Sequence, residues 1–529
     1  MLTPAEQSLE LLRRGRVYAR REEFTSAVEA FTGAVDLAPD DAGLYFARGN
    51  AHIGLSQLAL AIEDFTLAIQ FAPKLAAAWH NRATTHAERG EFAAAAADFT
   101  EAIRLVPDDP DPLLGRGVAR MKLANFDEAL ADFDAALILV PDMGRALFQR
   151  GQCRAAQGHH EMAMADFTKA LEINPRQSRA YSARAQSHEA LGTRGAALLD
   201  LTTALRVNPK WIEAYPHRAR IHFELQKWQN ARDDYSAVLR TDPKNSVALN
   251  HRAIASAELG LFEEAVADLT TVIGAAPDDP EGYFNRGQVC VRQKDWERAI
   301  ADFTRVIALT PDDAAAYLQR GRASVALLDV ETGIRDFTRV VELEPDAARG
   351  YYNRATALLK AGRPSEARPD AARVAELEPN RPGIRFLNGQ IDYELGEATS
   401  AIAHFNRAIE LDADHLPAMN SLAWILATTT GQLRDPERAL ALAGRIVEVT
   451  HQAEAGYLDT LAAANAAMQR YSTAVEWQRK AIALLPPDDR TDYLERLHLY
   501  EAGMPYLEEQ KGRPAGTNTI PHPAPRLPT

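Results

Sequence analysis

Residues 76–109 read AAAWHNRATTHAERGEFAAAAADFTEAIRLVPDD. Trp79, Ala83 and His86 stand at positions 4, 8 and 11 of this stretch, and Ala95, Phe99 and Ala102 at positions 20, 24 and 27. That spacing is the stripe of two amphipathic helices facing each other. Pro107, at position 32, cannot continue a helix and ends the second one. The stretch then repeats: proline recurs every 34 residues from Pro39, Pro73 and Pro107 to Pro379, eleven times without insertion or deletion. A period held this long predicts a stack of one small unit, whose function resides on a surface rather than in a catalytic lobe.

Counting units from Ser8, position 4 is large and apolar (Tyr45, Trp79, Tyr181, Tyr215, Tyr283, Tyr317, Tyr351) and position 8 is always Gly or Ala, as in Gly49, Ala83 and Gly117. The small residue is read as letting neighbouring helices approach with no side chain between them. Position 20 is Ala except for Gly333, and position 24 is mostly Phe, with Ala371 a weak spot.

These residues resemble the tetratricopeptide repeat family, bacterial type. The resemblance implies an all-α fold: a right-handed α-solenoid of about 14 helical hairpins with a C-terminal capping helix, whose first helices line a concave groove holding a partner polypeptide. Residues 1–7 then start the first helix, 8–381 hold eleven regular units, 382–487 three divergent ones, 488–511 the capping helix, and 512–529 a disordered Pro-rich tail. About four extra residues are expected around Thr428–Gln432. Tyr457–Ala462 and Trp477-Gln478 look like the closing repeats of bacterial members.

Position 7 is Arg in eleven successive units and position 23 is Asp in ten. Opposite charges retained together at a helix seam predict an ion-pair ladder, since either alone would be desolvated without compensation. Pairing within a unit (Arg48 with Asp64, Arg82 with Asp98, Arg286 with Asp302) leaves only Arg14 unmatched, and is preferred to pairing with the preceding unit. On this reading Asp98→Ala destabilises more than Arg82→Leu. The competing reading points the arginines into the groove, toward anionic ligands.

The family geometry places positions 2, 5, 6, 9, 12 and 13 on the groove. Position 5 carries Phe46, Phe148, Phe284, Tyr352 and Phe386; position 6 carries Asn81, Gln149, His217, His251, Asn285, Gln319 and Asn353. Recurring amides donate to and accept from an extended backbone, and aromatics between them give sequence-tolerant apolar contacts. The row is similar to the asparagine ladder of the O-linked N-acetylglucosamine transferases, but Ala47, Gly115 and Ala183 interrupt it. Ordinary exposed polar positions are the plain alternative. Asn50 and Asn81 match a carboxylate clamp, but Leu12, Phe46, Asp111 and Gly115 do not, so chaperone binding is not expected.

The chain carries 25% charged residues and a net charge of −14, which disfavours a nucleic-acid protein needing a basic stripe. No catalytic motif, membrane-length apolar run or signal succession stands out, so a soluble cytoplasmic protein without cofactor is expected. Cys153 and Cys290 read as small core residues. The position-11 rings His52, His86, His188 and His222 read as seam residues with one hydrogen bond each. His159-His160 reads as a solvated turn, and no metal site is expected. The function read from this is a non-enzymatic scaffold binding a peptide segment or helix of a partner protein. A self-assembling structural protein, or an accessory module of an enzyme or transport complex, is the alternative.

Overall fold

The computed structural model describes residues 3–508. Twenty-nine α-helices among them make fourteen antiparallel hairpins and one last helix, Thr491–Glu501, with no strand among the described residues. Contacts divide the chain into two bodies, Met1–His251 and Arg252–Thr529. Each is a run of stacked hairpins.

Local chemistry sets the boundaries. Thr3 opens the first helix, Pro4–Arg20: its hydroxyl accepts from the Glu6 amide while the Glu6 carboxylate accepts from the Thr3 N–H. In the second hairpin, helices Ala42–Gly54 and Leu58–Phe71 are joined by a turn in which Ser56 adopts φ 59°. The same turn position is left-handed in twelve successive repeats. Glycine fills it in six, as at Gly90 and Gly158, and other residues in six, including Ala124, Lys294 and Leu328. Outside glycine this conformation costs about 1–2 kcal/mol, so hairpin packing imposes it where the sequence does not favour it.

Position 8 is small for a reason other than helix approach. At Gly117 an added Cβ would stand 2.6 Å from the ring of Phe133, the position-24 residue of the same hairpin, and Gly49, Gly151, Gly287, Gly321 and Gly389 meet their own Phe likewise at 2.6–2.9 Å. A ring lies between the helices, on top of the glycine. Where position 8 is Ala, position 24 is a different residue: Ala185 with Leu201, Ala219 with Tyr235, Ala253 with Leu269, Ala355 with Ala371. The exception is Ala83 with Phe99. There the ring lies against the next repeat's Gly115, which takes the place of the missing glycine.

The last hairpins depart from the period. The helix Leu416–Thr428 is followed by a 3-10 turn at Gly431–Leu433, and Asp435 then caps Pro436–Val449 by accepting from the Arg438 amide. The closing helix is shorter than the expected 488–511, because Gly503 turns left-handed at φ 70° and the chain continues irregularly to Glu508. The tail expected at 512–529 lies outside the described residues.

Candidate functional site

The recurring charges form ten pairs, each within one hairpin. From Arg48–Asp64 to Arg218–Asp234 in the first body, and from Arg252–Asp268 to Arg354–Asp370 in the second, Nη2 donates to the carboxylate at 2.6–2.8 Å. Nε donates to the second oxygen at 2.7–3.1 Å. This bidentate fork is the strong geometry for such a pair. It raises the pKa of guanidinia such as Arg48 and Arg184 above the ordinary arginine value, chiefly through the hydrogen bond to Asp64 or Asp200.

The third nitrogen reaches back one repeat. Nη1 of Arg48, Arg82, Arg116, Arg184, Arg286, Arg320 and Arg354 donates to Thr32, Thr66, Thr100, Thr168, Thr270, Thr304 and Thr338 respectively, at 2.9–3.3 Å. For Arg150 of the fifth hairpin, Asp134 of the fourth takes the threonine's place, at 2.5 Å. Position-4 rings lie under several of these guanidinia, with Trp79 closest to Arg82 at 5.0 Å. The arginines therefore present their nitrogens to neighbouring helices. Arg14, outside the ladder, donates to Tyr18.

Position 11 adds to the same carboxylates. Arg120 and Arg154 donate to Asp132 and Asp166 at 2.7 and 2.8 Å. His52, His86 and His188 bond through Nδ1 to Gln57, Glu91 and Thr193, with Nε2 3.7–3.9 Å from Asp64, Asp98 and Asp200. Among the described residues, no three His, Cys, Asp or Glu side chains converge as a metal site would require. No helix among them is long and apolar enough to cross a membrane.

The first-helix face is built partly from residues anchored in the core. Phe46, Phe148, Phe284 and Phe386 tilt onto Phe65, Phe167, Phe303 and Phe405 with ring centroids 5.6–5.9 Å apart. Phe148 is buried; the other three keep an exposed edge. The amides are partly engaged between repeats: Asn81 donates to Asn50 at 2.7 Å, and Asn353 accepts from Arg322 at 3.3 Å. The two residues that matched a clamp thus satisfy each other. Tyr352 lies 5.8 Å under Arg381. His217 stands 3.9 Å from Glu189, and His251 packs between Phe223 and Tyr235. Gln149, Asn285 and Gln319 are half-buried on this face.

The final hairpin replaces the aromatic pair of positions 5 and 24 with a polar one. Asp459 and Gln478 are separated by 19 residues, the spacing of Phe46 and Phe65, and are hydrogen-bonded at 2.7 Å. Asp459 is fully buried and Arg496 of the last helix seals it, Nε at 2.9 Å from Oδ1 and Nη2 at 2.8 Å from Oδ2. The Asp and Gln of the closing-repeat segments thus have a structural task, which the position of Arg496 in sequence does not announce.

Family models described as tetratricopeptide repeat match residues 12–76, 76–109, 114–178, 182–246, 251–314, 287–349 and 358–425. The chain belongs to the tetratricopeptide repeat family. Its fold is the α-solenoid of that family. Tetratricopeptide proteins generally bind protein partners, and the family is typically non-catalytic. No curated protein matches the chain. Among solved structures it is similar to YrrB, described as a TPR protein with an unusual peptide-binding site: 24% identity, covering 36% of this chain and 98% of that one, TM-score 0.32. MamA is 19% identical over 32% of this chain and 92% of its own, TM-score 0.30. Yeast Tom70 is 16% identical over 84% and 96%, TM-score 0.32. At these identities and TM-scores the likeness carries no partner or pathway.

Proposed function

We propose that this tetratricopeptide protein is a non-enzymatic cytoplasmic scaffold that holds a peptide segment or a helix of a partner protein on the face made by its first helices. The observation that carries this reading is the pairing of a core-anchored ring with a half-buried amide at successive positions, as in Phe148-Gln149 and Phe284-Asn285. A ring seated on the core gives apolar area at little entropic cost, and the adjacent amide serves either polarity of a peptide backbone.

A photoreactive phenylalanine placed at Gln149, at Gln319 or at the exposed Ile138 of a second helix tests it in extract of the source cell. Partner adducts at the two glutamine positions and none at Ile138 are expected, with yield lost when Asn285, Asn353 and the unlabelled glutamine are changed to Ala. Equal adducts at all three positions would remove the first-helix face as the binding surface.

A further inference from the structure

The first helices of the last two hairpins differ from all the others in being covered. Every residue from Ala418 to Thr428 and from Gly456 to Ala467 is buried, whereas in the helix Pro110–Lys122 only five are. The covering comes from the chain itself. Thr491–Glu501 lies over the final hairpin through Arg496 and Tyr500, and the irregular segment after it crosses the face that other repeats leave half-exposed.

That segment is held by side chains at groove positions. Glu508 Oε1 accepts from Trp424 Nε1 at 2.8 Å and from the Tyr393 hydroxyl; Trp424 is at position 9 and Tyr393 at position 12 of their repeats. The ring of Tyr506 sits 5.7 Å from that of Trp424, and the Arg496 guanidinium lies 5.6 Å over Tyr506. An indole N–H and a phenol donating to one carboxylate oxygen, beside a ring pocket with a cation at its edge, make a receptor for an aromatic residue followed two places later by a carboxylate. The fit in cis is incomplete: Glu508 Oε2 is buried and meets no donor among the described residues. A buried acceptor left unsatisfied costs free energy, which weakens the hold on the cis segment and leaves it displaceable.

We infer that the first-helix face of hairpins twelve and thirteen is a binding site for a peptide of the form aromatic-Xaa-Glu, and that Tyr506-Leu507-Glu508 occupies it in cis until such a peptide displaces it. The inference rests on the scaffold reading and names the chemistry of one site on that face.

The probe is a fluorescein-labelled peptide of residues 503–511, GMPYLEEQK, titrated into the full chain and into a full chain carrying Tyr506→Ala and Glu508→Ala. For an open fraction of about one-tenth, the apparent affinity of the parent falls by that fraction. The variant is therefore expected to bind the peptide about tenfold more tightly than the parent. Peptides with the tyrosine changed to Ala or the first glutamate to Gln are expected to lose binding. A variant of unchanged helical circular dichroism that binds no peptide, or binds it no more tightly than the parent, overturns the inference. If the variant does not fold, hydrogen exchange of 504–508 in the parent decides: excess peptide should accelerate it, and unchanged exchange overturns the proposal. Crosslinking at Gln149 and Gln319 is read on other hairpins, so its success beside failure here would sink this inference alone.

Discussion

Arg82 grips Asp98 of its own hairpin through hydrogen bonds of 2.7 and 2.8 Å, while its third nitrogen reaches Thr66 of the preceding hairpin at 3.0 Å. The Asp98 side chain is 9% exposed and that of Arg82 16%. Removing the arginine strands the more buried charge. Removing the aspartate leaves a guanidinium that keeps Thr66 and the face of Trp79. The geometry predicts the opposite order to the one expected from sequence: Arg82→Leu should cost about 3 kcal/mol and Asp98→Ala about half of that, read from urea denaturation.

The glycine under each Phe ring predicts a compensating pair. Gly117→Ala puts a methyl 2.6 Å from Phe133 and should destabilise by about 1–3 kcal/mol through overpacking. Adding Phe133→Leu, which copies Ala185 with Leu201, should recover most of the loss. A double variant no more stable than the single one would contradict this account.

Leu328 turns the chain at φ 68° and is 76% exposed. Leu328→Gly relieves the left-handed strain without removing packing, and a gain of about 0.5–1 kcal/mol is expected in thermal melts.

Burial holds the His415 imidazole below the ordinary histidine pKa, against a smaller opposing effect of Asp412. Its Nδ1 accepts from the Ala418 amide, a role open only to the unprotonated nitrogen. With the folded value depressed, the unfolded chain takes up a proton that the folded one refuses. Stability is unaffected well above the unfolded value of about 6.5 and falls as the pH drops below it. His222 and His404 are shifted in the same direction by burial. His415→Asn keeps a capping acceptor without the titration, so the slope of stability against pH between about 7 and 5 should become shallower.

How much of this was legible in the sequence depends on whether a contact repeats. Pro107, Ala95 and the Gly117/Phe133 pair mark the hairpins because the same neighbours recur every 34 residues. The Arg–Asp ladder recurs in the same way, and so does its threonine, but a hydroxyl in mid-helix usually returns to its own backbone, as Thr66 also does to Ile62. Periodicity fails at the end of the chain. Arg496 meets Asp459 across 37 residues and Glu508 meets Trp424 across 84, separations with no second copy to expose them. Ser56 and Leu328 hide the left-handed turn because tertiary packing, not local preference, fixes it.

Cys153 and Cys290 are 0% and 1% exposed. Burial pushes both thiols up, that of Cys290 to about 11, so neither is a thiolate at neutral pH. Each should react with a thiol reagent only when its hairpin opens. Because one lies in each body, two separately resolved labelling rates are expected, each scaling with urea; immediate stoichiometric labelling of the native chain would refute the burial.

The arginine ladder also bears on how such a chain changes length. Each of the ten ladder arginines reaches 16 residues forward to its Asp, and seven of them reach 16 back to a Thr, as Arg82 does to Thr66. Excising or duplicating any whole 34-residue copy inside the run rejoins these partners at the same offsets, so the array gains or loses modules with no compensating substitution. A single inserted residue within a hairpin breaks both.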